Sequence, residues 1–361
     1  MNMSDRNYIG EQNLLSVIIP AYNCEDTIEK CVTSIVSGCK GISFEIIAIN
    51  DGSTDGTLHR LNALSEKHSE LKVISQANAG LSPSRNVGLD VAVGKYIYFI
   101  DSDDFLALNS LPQAIMHMEQ SGCVMCEFAA TKYISYADAK EKEIETTKEM
   151  GFTCFDTLES YAKSGLFREM YLTYVTKKIF LNNIIQKHNL RFESQLTYAE
   201  DLTFIRRFLM YREGTISVAT KNAAKYYYVQ HSNSITHRRD LAHLKRLYMN
   251  YFQICQIHNA LMSECTEQEP TAKYELHFSR SLYAYLHFSI ALSSGILSKN
   301  EVMENYKTAC RENLLPIDNF FGEKGFPSAF HNKVMRFVIN TPFIYKTLLF
   351  LRYIVKKSKS N

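Results

Sequence analysis

Residues 96–104 read YIYFIDSDD, an apolar run that changes abruptly into a group of acids. The run Tyr96–Ile100 is typical of a strand that is covered on both faces in a parallel sheet. The acids Asp101, Asp103 and Asp104 therefore come where that strand ends. Two carboxylates one residue apart offer oxygen ligands for Mg²⁺ or Mn²⁺, and an ion held there would offset the charge of a diphosphate. The alternative is a polar loop that caps the next helix.

Three further apolar runs precede this strand and alternate with helical patterns. They are LSVIIP at 15–20, FEIIAI at 44–49 and the run at 72–75. Apolar residues at helical spacing predict a helix at 26–36 with Asn23 as its N-cap. A second helix is predicted at 82–93, begun by Ser82 and Pro83. Strands that alternate with helices predict an α/β domain, in which ligands bind at the carboxyl ends of the strands.

The second strand ends in Asp51-Gly52-Ser53, a group that suits a ligand-binding turn. Asp51 can accept a hydrogen bond from a base N–H or a ribose hydroxyl, and Gly52 lets the backbone approach a ligand closely. The alternative is a plain turn between strand and helix. The first strand also ends in polar residues, at 20–23. Three strand ends thus bring candidate functional residues to one edge of one sheet.

A further acidic pair, Glu200-Asp201, begins an amphipathic segment, LTFIRRFLMY. Acids in a first helical turn are stabilised by the helix dipole, which is one interpretation. The other is a general base, because a sugar hydroxyl that attacks an anomeric carbon must lose its proton to a nearby acceptor. Both interpretations remain open from these residues alone.

The remaining chain has weaker local patterns. They predict helices at 110–120, 157–164, 177–187, 200–211 and throughout 240–314, strands at 123–134 and 224–230, and a charged loop at 140–148.

The composition is that of an ordinary globular protein. Of 361 residues, 46% are hydrophobic and 22% charged, and the formal net charge of +2 by itself neither favours nor excludes nucleic acid. We expect no nucleic-acid partner. Nine cysteines at irregular spacings do not indicate a disulfide framework and predict a reducing, cytoplasmic location. Residues 1–12 lack the apolar region of a signal peptide, and we expect no membrane-spanning segment.

Several other enzyme classes lose support from the sequence. It contains no phosphate-loop, dinucleotide-binding or G-x-S-x-G motif. A phosphotransferase with a nucleophilic aspartate is one alternative, but its D-x-D-x-[TV] motif usually follows the first strand and Phe105 stands where Thr or Val would be. A non-catalytic nucleotide-sugar-binding or scaffold protein is another. The presence of both the acid pair and the candidate base argues against it.

Six motifs occur in a characteristic order over about residues 14–236. They are LSVIIPAYNCEDTIEKCVTSI, FEIIAINDGSTDGT, NAGLSPSRNVGLDVAVGKYIYFIDSDDF, YVTKKIF, YAEDLTF and YYYVQHSNSIT. Together they resemble family 2 glycosyltransferases of the bacterial polysaccharide type. The resemblance implies a GT-A (nucleotide-diphospho-sugar transferase) fold, with a mostly parallel central sheet flanked by helices. It also implies metal-assisted single displacement that inverts the anomeric configuration, from a nucleotide-sugar such as a UDP-sugar to an acceptor hydroxyl.

The resemblance also implies roles for the matching positions. Asp201 would be the catalytic base, with Glu200 orienting it or binding the acceptor. Asp103 would be the direct ligand of Mn²⁺ or Mg²⁺, with Asp101 beside it. The residues implied to bind the nucleotide-sugar are Pro20, Tyr22, Asn23, Glu25, Asp51, Gly52, Ser53, Gly80, Arg85, Asp101, Ser102, Asp103, His231 and Ser234.

The chain departs from the family pattern at a few positions. Asn50 and Ser84 replace a common aspartate and alanine, and Tyr174 stands where many members have tryptophan. Val229 replaces a common arginine, so a cationic contact to the diphosphate would fall to His231 or Lys225. None of these changes touches the metal or base positions.

The predicted domain organisation has four parts. They are an N-terminal tail at 1–13, the GT-A domain at 14–236, a helical C-terminal region at 237–330 and a basic amphipathic tail at 331–361. The last part carries lysines and arginines but no acid, interleaved with apolar residues. It suits an interfacial helix on anionic lipid, or a helix packed on the core. Peripheral contact with the inner face of the cell membrane would suit a lipid-linked saccharide acceptor, although a free saccharide and an oligomeric protein fit the sequence too.

Overall fold

A computed structural model describes residues 13–157, 174–230 and 241–264, together with Ser160, Ser298 and Glu301. The chain divides into two compact units, the first of which contains the residues up to Arg239. Of the second unit, the structure describes residues 241–262, in the helix that begins at Leu241, together with Ser298 and Glu301. Among the described helices, none is long and apolar enough to cross a membrane.

Strands and helices alternate in the first half of the chain and become irregular later. The strands are β1 (Leu15–Ala21), β2 (Phe44–Asp51), β3 (Leu71–Gln76), β4 (Tyr96–Phe99), β5 (Phe105–Leu106), β6 (Met125–Glu127), β7 (Ala129–Ser135), β8 (Gly151–Phe155), β9 (Lys178–Leu181), β10 (Ile216–Lys221) and β11 (Ala224–Gln230). The α-helices are α1 (Ile28–Gly38), α2 (Thr57–Lys67), α3 (Leu81–Val91), α4 (Ser110–Ser121), α5 (Tyr136–Glu141), α6 (Asn182–Lys187), α7 (Glu200–Tyr211) and α8 (Leu241–Glu264).

Within the described residues these strands form two sheets. The larger has eight strands in the order β3-β2-β1-β4-β9-β6-β10-β8, and the smaller has three in the order β5-β11-β7. β1 pairs in parallel with both β2 and β4, and β2 pairs in parallel with β3. β9 and β8 are antiparallel to their neighbours. The predicted fold class, a mostly parallel sheet flanked by helices, is confirmed.

The helix predicted at 177–187 is wrong over its first part. Val175–Lys177 form one turn of 3-10 helix, Lys178–Leu181 form β9, and only the last part is α6. β9 inserts between β4 and β6 and pairs antiparallel with both. Its strand conformation therefore depends on two partners that are distant in sequence, which outweigh local helix propensity.

Other boundaries also differ from the sequence predictions. The single strand predicted at 123–134 is two strands, β6 and β7, which belong to different sheets. Asn23 is not the N-cap of α1, because it adopts a left-handed conformation with φ of 48° and the helix begins at Ile28. Ser82 and Pro83 lie inside α3, which begins at Leu81. Most of the predicted helices at 157–164 and 240–314 lies outside the described residues.

Two packing features hold α3 and α7 against the large sheet. Gly88 of α3 faces β1, where an added Cβ would lie 2.4 Å from Cγ2 of Ile18, so glycine allows α3 to approach the strand closely. α7 is attached by Phe204, whose ring stacks on Phe192 at 4.3 Å and meets Phe99 edge-on at 5.8 Å. Burial of each such ring stabilises the packing by about 1.5–3 kcal/mol.

Candidate active site

The carboxyl ends of β1, β2 and β4 meet at one edge of the large sheet, and their loops are joined by hydrogen bonds. Asn23 and Ser53 form the first link, since the Asn23 N–H donates to the Ser53 hydroxyl at 3.1 Å. The Thr54 N–H donates to Oδ1 of Asn23 at 2.8 Å. The Gly56 N–H donates to Oε2 of Glu25 at 2.6 Å. Asn23 and Glu25 thus fix the shape of this edge.

Tyr22 and Pro20 lie in contrasting environments near the carboxyl end of β1. Tyr22 is 51% exposed and presents its ring to solvent, whereas Pro20 is buried within β1. Of the two, Tyr22 is the side chain with surface available to a ligand. Ser102, in the loop after β4, is linked to the residue before α1, because the Thr27 hydroxyl donates to the Ser102 carbonyl oxygen at 3.1 Å.

Asp51 organises the loop between β3 and α3. Its Oδ1 accepts hydrogen bonds from Gln76 Nε2 at 2.7 Å and from the Ala79 N–H at 2.8 Å, and its Oδ2 accepts from the Gly80 N–H at 2.8 Å. Gly80 has a φ of 98° and Gly52 a φ of 67°, conformations that favour glycine. The buried Asp51 carboxylate therefore already has three donors within the protein, and it holds the turn that precedes the functional part of α3.

Arg85 of α3 joins the loop after β4 to the start of α7. This arginine is 2% exposed. Its two terminal nitrogens donate to Asp101 Oδ1 at 3.0 Å, to Asp201 Oδ1 at 2.6 Å and to Glu200 Oε1 at 3.4 Å. The Phe192 ring lies 5.1 Å from the guanidinium carbon. One buried cation thus holds three carboxylates, from two elements that are far apart in sequence.

The crowding of these acids changes their protonation. Burial raises the pKa of Asp101 to about 6, opposed by Arg85 and assisted by Asp103 and Asp201. Burial also raises the pKa of Glu200 to about 7, with Asp201 acting in the same direction and Arg85 against it. The pKa of Arg85 itself is raised, because the attraction of Asp201, Asp101 and Glu200 exceeds the effect of its burial. The site therefore holds more negative charge than its arginine balances.

Asp104 serves the structure rather than a ligand. Its Oδ2 accepts a hydrogen bond from the Tyr226 hydroxyl at 2.6 Å and its Oδ1 accepts from the Val229 N–H at 2.8 Å. Burial, with Asp103 and Asp101 nearby, raises its pKa well above the usual range. The carboxylates of the loop with access to solvent are then those of Asp101 and Asp103, which are both partly exposed.

The donor set of this loop fits a divalent cation that is completed by a substrate. Within residues 13–157, 174–230 and 241–264, no group of three or more His, Cys, Asp or Glu side chains has the arrangement of a metal site. Mg²⁺ is commonly held by one or two carboxylates together with phosphate oxygens and water, so a full protein cage is not required. Asp103 and Asp101 provide such carboxylates beside an excess of negative charge.

Some predicted residues are not part of this group. His231 and Ser234 lie outside the described residues. Lys225 lies in β11, and its ammonium pairs with Glu145. Sequence reasoning missed Gln76, which holds Asp51, and Tyr226, which holds Asp104. The signal for Tyr226 is the tyrosine run at 226–228, at the start of the motif YYYVQHSNSIT.

A mostly parallel sheet with linked acidic loops at the carboxyl ends of its strands is the architecture of the GT-A nucleotide-diphospho-sugar transferases, and the chain has this fold. The Glycosyl transferase family 2 model matches residues 16–176. This match covers slightly less than half of the chain, which is thus similar to the transferases of this family.

Named relatives extend the similarity beyond that segment. The uncharacterized glycosyltransferase YibD of Escherichia coli (strain K12) is 28% identical over 231 residues, which are 64% of this chain and 66% of YibD. The uncharacterized glycosyltransferase EpsJ of Bacillus subtilis (strain 168) is 28% identical over 228 residues, or 62% of this chain and 63% of EpsJ. The chain thus matches slightly less than two thirds of either relative.

Solved structures with the same fold include S. aureus TarS 1–349 in complex with UDP. It has 21% sequence identity and a TM-score of 0.55, and the match covers 84% of this chain and 81% of the TarS chain. The same TarS segment in complex with UDP-GlcNAc has 20% identity and a TM-score of 0.51, with coverage of 83% and 92%. At this identity the likeness establishes the fold alone.

Proposed function

We propose that the chain transfers a sugar from a nucleotide-diphospho-sugar to an acceptor hydroxyl, by a single displacement that inverts the anomeric configuration. The observation that carries this proposal is the Arg85 bridge, which joins Asp101 of the loop after β4 to Asp201 of α7. A donor loop and a base must lie side by side for direct transfer, and this arginine links the two. Synthesis of a surface polysaccharide or another glycan is the role that suits the family.

Asp201 is the residue proposed to take the proton. Its Oδ1 accepts from Arg85 at 2.6 Å and its Oδ2 accepts from the Val175 N–H at 3.0 Å. Two donors fix the carboxylate in position, and each oxygen keeps a further lone pair for an acceptor hydroxyl. Glu200, with its raised pKa, then assists as a neighbour that orients the base or contacts the acceptor.

Asp103 and Asp101 are the residues proposed to hold Mn²⁺ or Mg²⁺. A bound ion would neutralise charge on the departing nucleoside diphosphate and make it a better leaving group. The net negative charge of the loop supports cation binding, because Arg85, the cation that pairs with Asp101, also pairs with Glu200 and Asp201.

The nucleotide is proposed to be a uridine diphosphate. The support is indirect and comes from TarS, which has been solved with UDP and with UDP-GlcNAc. The exposed Tyr22 ring and the turn at Gly52 lie at the edge where a base and ribose would bind.

Donor binding and turnover test this proposal directly. Binding and slow hydrolysis are measured across a panel of nucleotide-sugars with Mn²⁺, for the wild type, Asp103→Ala and Asp201→Asn. We expect one donor to be hydrolysed, Asp103→Ala to lose binding, and Asp201→Asn to keep binding but lose turnover. If no nucleotide-sugar of the panel binds, the enzyme assignment is overturned. Tight binding without turnover on any acceptor would favour a nucleotide-sugar-binding scaffold.

Residues 331–361, which lie outside the described residues, are proposed to contact anionic lipid at the inner face of the cell membrane. Their excess of lysine and arginine with interleaved apolar side chains supports this contact. The full chain should sediment with vesicles that contain phosphatidylglycerol more than a chain ending at Phe330 does. Equal sedimentation of the two would contradict the proposal.

A further inference from the structure

Three tyrosines form a partly exposed group beside the candidate base. Tyr133 is 58% exposed and Tyr174 is 40% exposed, and both are among the large apolar side chains most open to solvent in the described residues. The third, Tyr228, is half-buried and packs against the core. We refer to Tyr133, Tyr174 and Tyr228 as the tyrosine platform.

The small sheet determines which way the platform faces. β7 and β11 pair in parallel, with Tyr133 directly opposite Tyr228, and the two rings meet edge-on at 5.5 Å. Side chains two residues apart in a strand share a face, so Tyr226 lies on the same face as Tyr228. Since the Tyr226 hydroxyl binds Asp104 of the acidic loop, this face of the small sheet points towards that loop.

Tyr174 connects the platform to Asp201. It immediately precedes Val175, whose N–H donates to Asp201 Oδ2 at 3.0 Å. Burial raises the pKa of the Tyr174 hydroxyl, and Tyr133, to which it is hydrogen-bonded, and Asp201 act in the same direction. The Lys177 ammonium lies 4.8 Å from the centre of the Tyr174 ring. The platform therefore lies beside the base, on the sheet face that also carries Tyr226.

We propose that the tyrosine platform binds the acceptor saccharide by stacking against one face of its pyranose ring, a proposal that rests on the transfer reaction proposed above. One face of a pyranose presents C–H groups to the negative face of an aromatic ring, while its hydroxyls remain free for the tyrosine O–H groups and Lys177. The position of the platform favours the acceptor saccharide over the nucleotide as its ligand. The platform borders Asp201, which must receive the acceptor proton, and the loops at Asn23 and Asp51 proposed for the nucleotide follow other strands.

Glycoside binding to the full-length chain tests the platform without knowledge of the natural acceptor. The probes are methyl glycosides of glucose, galactose, mannose and N-acetylglucosamine, which lack an aromatic group of their own. Their binding is measured by saturation-transfer difference NMR in the presence of UDP and Mg²⁺, and UDP affinity is measured separately by calorimetry. The variants are Tyr174→Ala, Tyr133→Ala and Tyr174→Phe, and the control is Met116→Ala, an exposed apolar residue on α4.

The wild type should show saturation of ring C–H protons for at least one glycoside. Each alanine variant should raise the Kd for that glycoside about 5- to 10-fold, which corresponds to the loss of about 1–1.4 kcal/mol of aromatic contact. Tyr174→Phe should stay within about threefold of the wild type because the ring is retained, and Met116→Ala should not differ from it. UDP affinity should be the same in all five proteins.

Two results would overturn the platform while leaving the proposed function intact. One is unchanged glycoside affinity in both alanine variants, and the other is UDP binding by a wild type that binds none of the methyl glycosides. Failure of the wild type to bind UDP would instead overturn the transfer reaction itself, and the platform with it.

Discussion

Replacement of Glu200 by glutamine should stabilise the protein, relative to the wild type, by an amount that is larger at neutral pH than at acidic pH. Burial raises the pKa of Glu200 from 4.5 to about 7, with Asp201 adding to the rise and Arg85 opposing it. The folded protein therefore binds this proton more tightly than the unfolded chain does. That stabilising contribution is fully present below pH 4.5 and is lost as the pH rises to about 7. At about 1.4 kcal/mol per pKa unit, the loss is on the order of 3 kcal/mol.

Glutamine has the shape of the protonated acid and carries no charge to desolvate at high pH. Urea unfolding followed by circular dichroism, for wild type and Glu200→Gln from about pH 4 to pH 8, measures the two unfolding free energies. The difference between them should grow by about 3 kcal/mol in favour of the variant over this range.

The matched control is Glu66→Gln, at an exposed position of α2. It should show a difference from the wild type that does not vary with pH. If Glu200→Gln behaves in the same way as this control, the burial of the Glu200 carboxylate does not govern its protonation, and the reasoning is refuted.

Three further substitutions test the contacts around the site. Arg85→Ala should lower the free energy of unfolding by about 3–5 kcal/mol, because it leaves buried carboxylates without their cation. Arg85→Lys should recover part of this loss. Equal losses in the two variants would contradict a charge-based role. Gly52→Ala should lower the free energy of unfolding by more than about 1 kcal/mol and weaken UDP binding. The reason is that the φ of 67° is strained for alanine and the new Cβ would lie 2.7 Å from the Asn78 nitrogen. An unchanged melting temperature would disprove this. Tyr226→Phe should cost about 1–3 kcal/mol in urea unfolding by removing the donor to Asp104, and a neutral effect would mean that water replaces it.

The first half of the fold could be predicted because its signals are local. Each buried parallel strand is an apolar run, and each ends in polar residues, so the runs at 15–20, 44–49 and 96–100 identify β1, β2 and β4. Parallel topology then brings their carboxyl ends to one edge. The convergence of Asp51, Asp101 and their loops follows from strand order and needs no side-chain detail.

The later strands lack such signals. β9 is four residues long, KIFL, and its neighbours in sequence have helical spacing. Its conformation depends on pairing with Tyr96–Phe99 on one side and Met125–Glu127 on the other. A local pattern contains no information about such partners, and the same applies to β8 and β10, which no pattern predicts.

Side-chain roles within the site were the least predictable. The resemblance implies that Arg85 binds the nucleotide-sugar, but it does not predict that the guanidinium is buried against Asp201, 116 residues away in sequence. Asp51 is predicted to accept a hydrogen bond from a base or a ribose, and the sequence does not show that its carboxylate also accepts three hydrogen bonds from Gln76, Ala79 and Gly80. In both cases the partner is defined by the assembled fold, and spacing in sequence cannot reveal it.

The shared guanidinium of Arg85 has a consequence for how this site can diverge. Three carboxylates from two elements depend on one cation, so the cost of changing any of them depends on which others are present. A lineage that lost the arginine first would be left with buried, uncompensated acids, and one that first lost an acid would pass through a less crowded site. Substitutions at positions 85, 101, 200 and 201 should therefore occur together among relatives, with the loss of an acid preceding the loss of the arginine.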